Sequence, residues 1–480
     1  MNRPNIIFIL SDQHSPFFTG YAGHDLVTTP NLDGLAASGT RFTNAYTPSP
    51  LCVPARLDMI SGMYSADTCV YHNSDLPPPD LPSFARDLSE SGYRTCLVGK
   101  AHYIGEDQYC GYQERPYGDL RGIGHQADPY RGANPDLEGI NGIGHHPSGG
   151  TFKLAGPSGI PEYQTGESII THESVKWLQI HRALHRDTPF LLSVQYPKPH
   201  FPLNPPSQWF DHYREEAKGR LTPSRREALG IPTHRVSWDN YLGYGATQED
   251  LDRALAAYCG QVSYLDECIG HLLDSVEHLG FTDNTIIIYS ADHGEMAGAH
   301  GLWHKCLFFE ESVRVPMIFA GPGIDPNQRN ESLVSLLDMY PTFCELAGID
   351  APATCRGTSL VPCFSGAMLS EERMTFSEIA WRRDWRGCMI RWQDMKYCWY
   401  PDGASELYDL ATDPGENTNR TDDPDCQAAK DFLHAELMAF WKPDELGRRL
   451  ARNGRIDYNK GANVAFQYAL PDGVVADAWP

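Results

Sequence analysis

Basic residues are scarce in this chain: 39 lysines and arginines stand against 62 aspartates and glutamates, a net charge of −23. Nucleic acid or an anionic membrane would be repelled by such a surface, so neither is expected as a main partner. An anionic small molecule stays open, because it needs only a local cationic pocket. No C-x-x-C occurs among the thirteen cysteines, an odd number scattered without regular spacing. That fits reduced thiols better than a disulfide framework. Internal repeats and low-complexity tracts are lacking too. The apolar run near the start, Ile6–Leu10, is too short for a leader core or a membrane span, and no small-residue cleavage site follows it. A cytoplasmic protein is the expectation.

What is present is a long chain, 480 residues and 41% hydrophobic, able to bury a large core. Its length suits two or three domains, or one large α/β unit with an appendage. Near-continuous apolar runs (Ile6–Ser11, Thr95–Gly99, Phe190–Gln195, Thr285–Ser290, Val315–Ala320) alternate with helical patterns (Ser83–Ser91, Ser168–Arg182, Asp250–Leu279, Leu333–Ala347). This alternation predicts an α/β fold, a large mainly parallel or mixed sheet sandwiched by helices. Gly105–Thr165 and Leu203–Gln248 are irregular and rich in Gly, Pro, His and aromatics, as pocket rims and lids are. After about Gly366 the pattern becomes short strands (Met374–Ala380, Cys388–Trp392, Lys396–Tyr400, Glu406–Asp409), then a helix, Gln427–Trp441, and an irregular tail. A catalytic domain over 1–366 and a small C-terminal α+β subdomain on an antiparallel sheet over 367–480 are expected.

Ligands bind beyond the carboxyl ends of the strands in such a sheet. Four polar clusters fall there: Ser11-Asp12-Gln13, Lys100-Ala101-His102, Lys198-Pro199-His200 and Asp292-His293-Gly294. Asp12 and Asp292 offer carboxylate oxygens for a hard divalent cation such as calcium or magnesium; the imidazole of His293 widens the choice toward manganese or zinc. Gln13 is a weaker candidate for a carbonyl ligand. Taken alone, Asp12 reads equally well as a turn residue and Asp292 as a helix cap. Lys100, His102, His200 and Lys305 are cationic donors able to neutralise a bound sulfate or phosphate and to protonate a leaving oxygen. A lone lysine or histidine is more often a solvated surface group, the reading given to His14, His24, His72, His125, His145 and His146. The pentapeptide Cys52-Val53-Pro54-Ala55-Arg56 is a C-x-P-x-R followed by a small-residue helix start. By itself it would arise by chance in roughly a few per cent of chains this long.

Together with Pro4–Gln13, Pro48–Arg56, Gly92–Thr95, Val98–His102, Pro199-His200, Ser290–Gly294 and Glu406–Glu416, that pentapeptide makes the chain resemble, nearly end to end, a type I sulfatase of the alkaline phosphatase-like superfamily. The likeness is greatest to the choline-sulfatase and phosphonate monoester hydrolase branch, on Asp12-Gln13, Leu51-Cys52 and Asp292-His293. It implies that a separate maturation enzyme, the formylglycine-generating one, oxidises Cys52 to formylglycine. Asp12, Gln13, Asp292, His293 and residue 52 would then hold a divalent metal, calcium ahead of manganese or magnesium. One hydroxyl of the aldehyde hydrate would attack sulfur, with Lys305 and His200 holding the sulfate and assisting the leaving alcohol. His102 would take the proton of the second hydroxyl so that sulfate leaves, Arg56 would brace hydrate and metal, and Lys100 would bind hydrate or sulfate. A small sulfated molecule is the implied substrate, and a homo-oligomer stays open.

The Lys100/His102 pair sides with sulfatases, since phosphonate monoester hydrolases usually carry hydroxyl side chains there. A phosphonate monoester or phosphodiester hydrolase is the rival within the class. A catalytically silent binding protein is the rival outside it, opposed by a competent residue at every implied position. Glu378, Trp381 and Trp385 would suit a cationic alcohol as an anionic aromatic wall, though small-domain core and rim is the preferred reading.

Overall fold

The structure, a computed structural model, describes residues 3–73, 75–105, 107–118, 155–157, 161–221, 246–382 and 385–442, with the short antiparallel pair 454–456 and 465–467. Most of the two irregular stretches and most of the tail after Trp441 therefore lie outside the described residues.

Eight strands build the main sheet: β1 (Asn5–Asp12), β2 (Gly39–Tyr46), β3 (Arg94–Gly99), β4 (Glu114–Tyr117), β5 (Phe190–Pro199), β6 (Thr285–Ala291), β7 (Met317–Ala320) and β8 (Gln328–Ser335). Their order is β4-β3-β5-β1-β6-β7-β2-β8. The pairs β4/β3, β3/β5, β5/β1, β1/β6 and β2/β8 are parallel; β7 runs antiparallel to both neighbours. The sheet is thus mainly parallel with one antiparallel strand, within the expected mainly parallel or mixed α/β architecture.

The apolar run of β1 is continuous because both its faces are covered. Ile6, Phe8 and Leu10 belong to one core, with Leu57, Phe84, Leu88 and Phe343 of the helices Cys52–Ser61, Phe84–Glu90 and Met339–Ala347. Ile7 and Ile9 belong to the other, with Leu32, Trp177, Leu178, Leu265 and Leu272 of the helices Pro30–Ala37, Pro161–Leu184 and Gln248–His278. Alternate side chains of one strand feed two cores, as strand geometry requires.

The expected helix Leu333–Ala347 starts only at Met339. Leu333 and Val334 instead pair with Asn44 and Ala45 of β2, and the Ser335 hydroxyl accepts the Leu337 amide at 3.3 Å as a cap for the turn between them. Likewise Val315 precedes β7; its amide donates to the Ala45 carbonyl at 2.9 Å.

The second sheet is antiparallel, order β12-β11-β10-β9, from β9 (Met374–Arg382), β10 (Trp385–Trp392), β11 (Met395–Trp399) and β12 (Ser405–Asp409). Helix Gln427–Trp441 covers one face with Leu433, Leu437 and Trp441. The other face, Ile379, Met389, Cys398, Tyr400 and Tyr408, packs on Tyr46, Leu51, Phe308 and Phe309 from the main-sheet side. The small sheet thereby presses on the segment that carries Lys305. Glu378 is fully buried and accepts from the Tyr71 hydroxyl at 2.5 Å and the Ala66 amide at 3.1 Å. This residue is interior, as preferred over a substrate wall; the side chains of Trp381 and Trp385 lie outside what is described. All thirteen cysteines are unbridged. Among the described residues no helix is long and apolar enough to cross a membrane.

Candidate active site

Strands β3, β5, β1 and β6 are adjacent and parallel, so their carboxyl ends share one edge of the sheet. Asp12 ends β1, Lys100 follows β3, His200 follows β5 and Asp292-His293 follow β6. Gly99 makes the approach of Lys100 possible. Its φ is +99°, and a β-carbon there would sit 2.1 Å from the Gln195 carbonyl oxygen, to which the Lys100 amide donates at 2.8 Å.

Cys52 opens the helix Cys52–Ser61, every residue of which is buried. Pro54 falls in its first turn, where a missing amide hydrogen costs nothing. The Val53 amide donates to Asn73 Oδ1 at 3.0 Å, which caps the helix from outside. Arg56 lies four residues after Cys52, one turn along the same face. Its Nε is 2.8 Å from Asp292 Oδ2 and its second terminal nitrogen 3.1 Å from Asp12 Oδ2. The remaining nitrogen donates to the Lys100 carbonyl at 2.5 Å and to Gln195 Oε1 at 2.8 Å.

Lys100 Nζ approaches the same Asp12 oxygen at 2.5 Å. Asp12 Oδ1 is thereby left facing Cys52 Sγ (3.8 Å), His293 Nε2 (3.8 Å) and His200 Nε2 (3.9 Å). His293 gives its Nδ1 hydrogen to the Gly294 carbonyl at 3.0 Å, so Nε2 faces inward, 3.2 Å from Cys52 Sγ. Asp292 Oδ1 accepts the amides of Gln13 (3.1 Å) and His293 (2.9 Å). Lys305 Nζ donates to Gln13 Oε1, and Gln13 Nε2 donates to Glu295. Lys305 also lies over the Phe201 ring, 5.0 Å from its centre, and the His200 ring stacks on that ring at 4.0 Å. His200 Nδ1 is 2.6 Å from the Phe201 carbonyl. His102 is buried at the end of β3, with a left-handed backbone at φ +57°.

Charge is distributed unevenly over these groups. Burial would raise the Asp12 carboxyl, but the Lys100 ammonium and the Arg56 guanidinium hold it well below the usual range. Asp292 is pushed up by burial and by the neighbouring Asp12. Burial and Lys305 keep the His200 imidazole neutral, far below its ordinary value. Against burial and Asp12, the nearby ammonium groups of Lys305 and Lys100 pull the Cys52 thiol well down.

The donor set fits a divalent cation. One ligand atom each from Asp12, Cys52, Asp292 and His293 lie within 4.8 Å of one another, all in buried residues. Two carboxylate oxygens and an inward imidazole nitrogen are donors for a hard to borderline ion. Gln13 contributes an oxygen beside Lys305.

Of the residues expected at the strand ends, Asp12, Gln13, Lys100, His200, Asp292 and His293 are brought together at this edge, and His102 lies two residues beyond Lys100. Asn73, Gln195 and Glu295 were not anticipated. Glu295 directly follows Asp292-His293-Gly294, a proximity that would have pointed to it; Asn73 and Gln195 carry no comparable signal. His14 departs from the surface role expected of it: it is fully buried, 2.5 Å from the Tyr289 hydroxyl and 3.0 Å from the Phe18 carbonyl, and burial lowers its pKa to about 4. It is a core histidine. His125, His145 and His146 lie outside the described residues.

Comparison with known proteins agrees with this geometry. The sulfatase family profile matches residues 4–349, and the profile of the C-terminal part of N-sulphoglucosamine sulphohydrolase matches 298–442. A choline-sulfatase of Rhizobium meliloti is 32% identical over 436 residues, 88% of this chain and 83% of the relative. Arylsulfatase K of Bos taurus is 29% identical over 449 residues, 87% of this chain and 78% of the relative. The crystal structure of a phosphonate monoester hydrolase of Agrobacterium radiobacter shares the fold, with a TM-score of 0.74 at 23% identity, covering 97% of this chain and 100% of the other. With a profile matched over most of its length and a well-covered relative above 30% identity, the chain belongs to the sulfatase family, the sulfuric ester hydrolases.

Proposed function

We propose that this protein hydrolyses a sulfate monoester to an alcohol or phenol and inorganic sulfate, using a formylglycine made from Cys52 and a divalent metal. The observation that carries this reading is the buried set Asp12, Cys52, Asp292 and His293, drawn within 4.8 Å and braced by Arg56. Oxidation of Cys52 by a maturation enzyme would put an aldehyde, reactive as its hydrate, at that point. A bound cation, calcium ahead of manganese or magnesium, supplies the positive charge that acidifies an oxygen nucleophile.

The chain's own residues do the rest. Asp12, Asp292, His293 and Gln13 hold the cation. Arg56 keeps the two carboxylates at a fixed spacing. Lys100 and Lys305 bring positive charge to the ester's sulfate oxygens, where negative charge stays through the transfer. His200 commits its Nδ1 hydrogen to the Phe201 carbonyl, so Nε2 is the atom turned to the site. An anionic ester beside that neutral ring raises its proton affinity, and the proton it gains is available to the departing oxygen. His102 is assigned the proton transfer that accompanies sulfate release. A catalytic part over 1–366 and a C-terminal part over 367–480 belong to the same reading; the small sheet beginning at Met374 supports it.

Mass spectrometry of the peptide containing Cys52, in protein from its natural host, tests the proposal. Formylglycine at position 52 is expected, and full retention of the thiol would sink the mechanism. Rates on aryl sulfates against aryl phosphonates then separate a sulfatase from a phosphonate monoester hydrolase, the activity named for the Agrobacterium neighbour.

A further inference from the structure

Gln13 is held from both ends by groups of opposite hydrogen-bonding character. Glu295 is a carboxylate, an acceptor; Lys305 is an ammonium, which only donates. The Gln13 amide gives Nε2 to Glu295 Oε2 and receives Lys305 Nζ at Oε1. Turning the amide over would set its NH2 against the ammonium and its oxygen against the carboxylate. The main chain of Gln13 is fixed as well. It has φ +65°, unusual for a side chain of this kind; its amide donates to Asp292 Oδ1 at 3.1 Å and its carbonyl accepts the Tyr258 hydroxyl at 3.0 Å. Glu295, only 2% exposed, spends its other oxygen on the amides of Ala297 (3.0 Å) and His304 (2.5 Å). One carboxylate thus ties the end of β1 to the loop that delivers Lys305.

We propose that Glu295 is a positioning residue: it sets the orientation of the Gln13 amide, so that the carbonyl oxygen and not the NH2 faces Lys305 and the metal, and it anchors the Lys305 loop in the same register. This rests on the reading of Gln13 as a metal ligand. In a Glu295→Gln variant the loop amides still need an oxygen, so the new NH2 turns toward Gln13. Gln13 must then present its own oxygen to residue 295 and its NH2 to the metal. A Gln13→Glu/Glu295→Gln pair restores the pattern with the roles exchanged, because a carboxylate at 13 accepts from the new NH2 at position 295 and still offers an oxygen inward. Gln13→Glu alone sets two carboxylates face to face.

The test is calorimetric titration of the unconverted protein with calcium or manganese, which reads the site without reference to turnover. Glu295→Gln is expected to weaken metal binding about 10- to 100-fold, as outer partners of ligands do. The double variant is expected to return to within about threefold of the parent. An affinity within twofold of the parent in Glu295→Gln, or a double variant no better than that single one, overturns the proposal. If Glu295→Gln does not fold, recovery of folded, metal-binding protein in the double variant supports it and failure of both overturns it. A parent that binds neither ion sinks the metal reading and this proposal with it; a binding parent with an indifferent Glu295→Gln sinks this proposal alone.

Discussion

Arg56 Nε stands 2.8 Å from Asp292 Oδ2, and the same guanidinium reaches Asp12 Oδ2 at 3.1 Å. The spacing C-x-P-x-R is thus one helical turn, which places residue 52 and the bridge between two strand-end carboxylates on one face. Replacing Arg56 by Ala leaves both carboxylates buried without their shared cation, at a cost of about 3–5 kcal/mol. We expect a lower urea midpoint for the variant in chelator, partly restored by calcium or manganese, since a ligand at 100 times its Kd stabilises by about 2.7 kcal/mol. A midpoint unmoved by the substitution would show that the bridge contributes nothing.

Glu378 gives the protein a pH dependence from a buried carboxyl on the small sheet, beside the Cys52 helix. Burial pushes its carboxyl up to about 7 from the ordinary 4.5, with Tyr71 and Ala66 as hydrogen-bond donors and Asp67 adding repulsion. Asp58, on the Cys52 helix, is raised as well, by burial and by Glu378. The folded state therefore holds a proton that the unfolded state releases between about pH 4.5 and 7. Stability is greatest below that window and falls as pH rises through it, by about 3 kcal/mol at most from Glu378. The Glu378→Gln variant should lose this slope and be more stable than the parent above pH 8, read from urea midpoints between pH 5 and 9. Parallel curves for parent and variant would refute the assignment.

Much of this was legible because the chemistry sits at the ends of apolar strands. Ile6–Leu10 announces a doubly covered strand, and the polar residue after such a run must lie at the sheet's edge. The small sheet and helix Gln427–Trp441 were equally plain, since the pattern changes to short strands and then a helix after about Gly366. Strands β2 and β8 were not. Gly39–Tyr46 mixes Thr, Arg and Asn with its apolar residues, and Gln328–Ser335 at the sheet's outer edge opens on Gln-Arg-Asn-Glu, so neither shows a continuous run. Their partners supply the pairing that composition cannot. Asn73 and Gln195 escaped for a related reason: each touches the Cys52 helix across 20 residues or more of chain, and one sequence holds no trace of such a contact.

Lys396 links the small sheet to the active-site loop. Its ammonium donates to the Phe308 carbonyl at 2.6 Å and to Glu310 Oε1 at 3.0 Å, and pairs with Glu416. Burial opposes ionisation of Glu310, but Lys396 and Arg314 bring it down to about 2; burial and Glu310 leave Glu416 pushed up to about 8 despite Lys396. At pH 9, where Glu416 is ionised as well as Glu310, the Lys396→Met variant strands two acids in the interior and should lose about 3–5 kcal/mol. Adding Glu416→Gln should recover part of that loss. Equal urea midpoints for the single and double variants would mean the two acids do not share the lysine.

The proposed function gives Lys305 to the substrate and not to the metal, a division that one variant can test. Its ammonium sits beside Gln13 Oε1 and over Phe201, and it lowers the proton affinity of both His200 and Cys52. A cation there repels a divalent ion but attracts the sulfate oxygens of an ester. In Lys305→Met the attraction disappears with the repulsion. Turnover by converted enzyme should fall about 10²–10³-fold, the scale for removing one preorganised donor to developing charge. Metal affinity should hold or tighten, because the Gln13 oxygen loses its competing ammonium while Glu295 still holds the amide. The His200 ring, freed of its neighbouring charge, should titrate at higher pH. The alkaline limb of a pH–rate profile that needs His200 protonated would then move upward. Steady-state rates from pH 5 to 10, with calorimetric metal titration of the same preparation, check all three expectations. A variant that loses metal in parallel with activity would place Lys305 in the metal's support and not at the substrate.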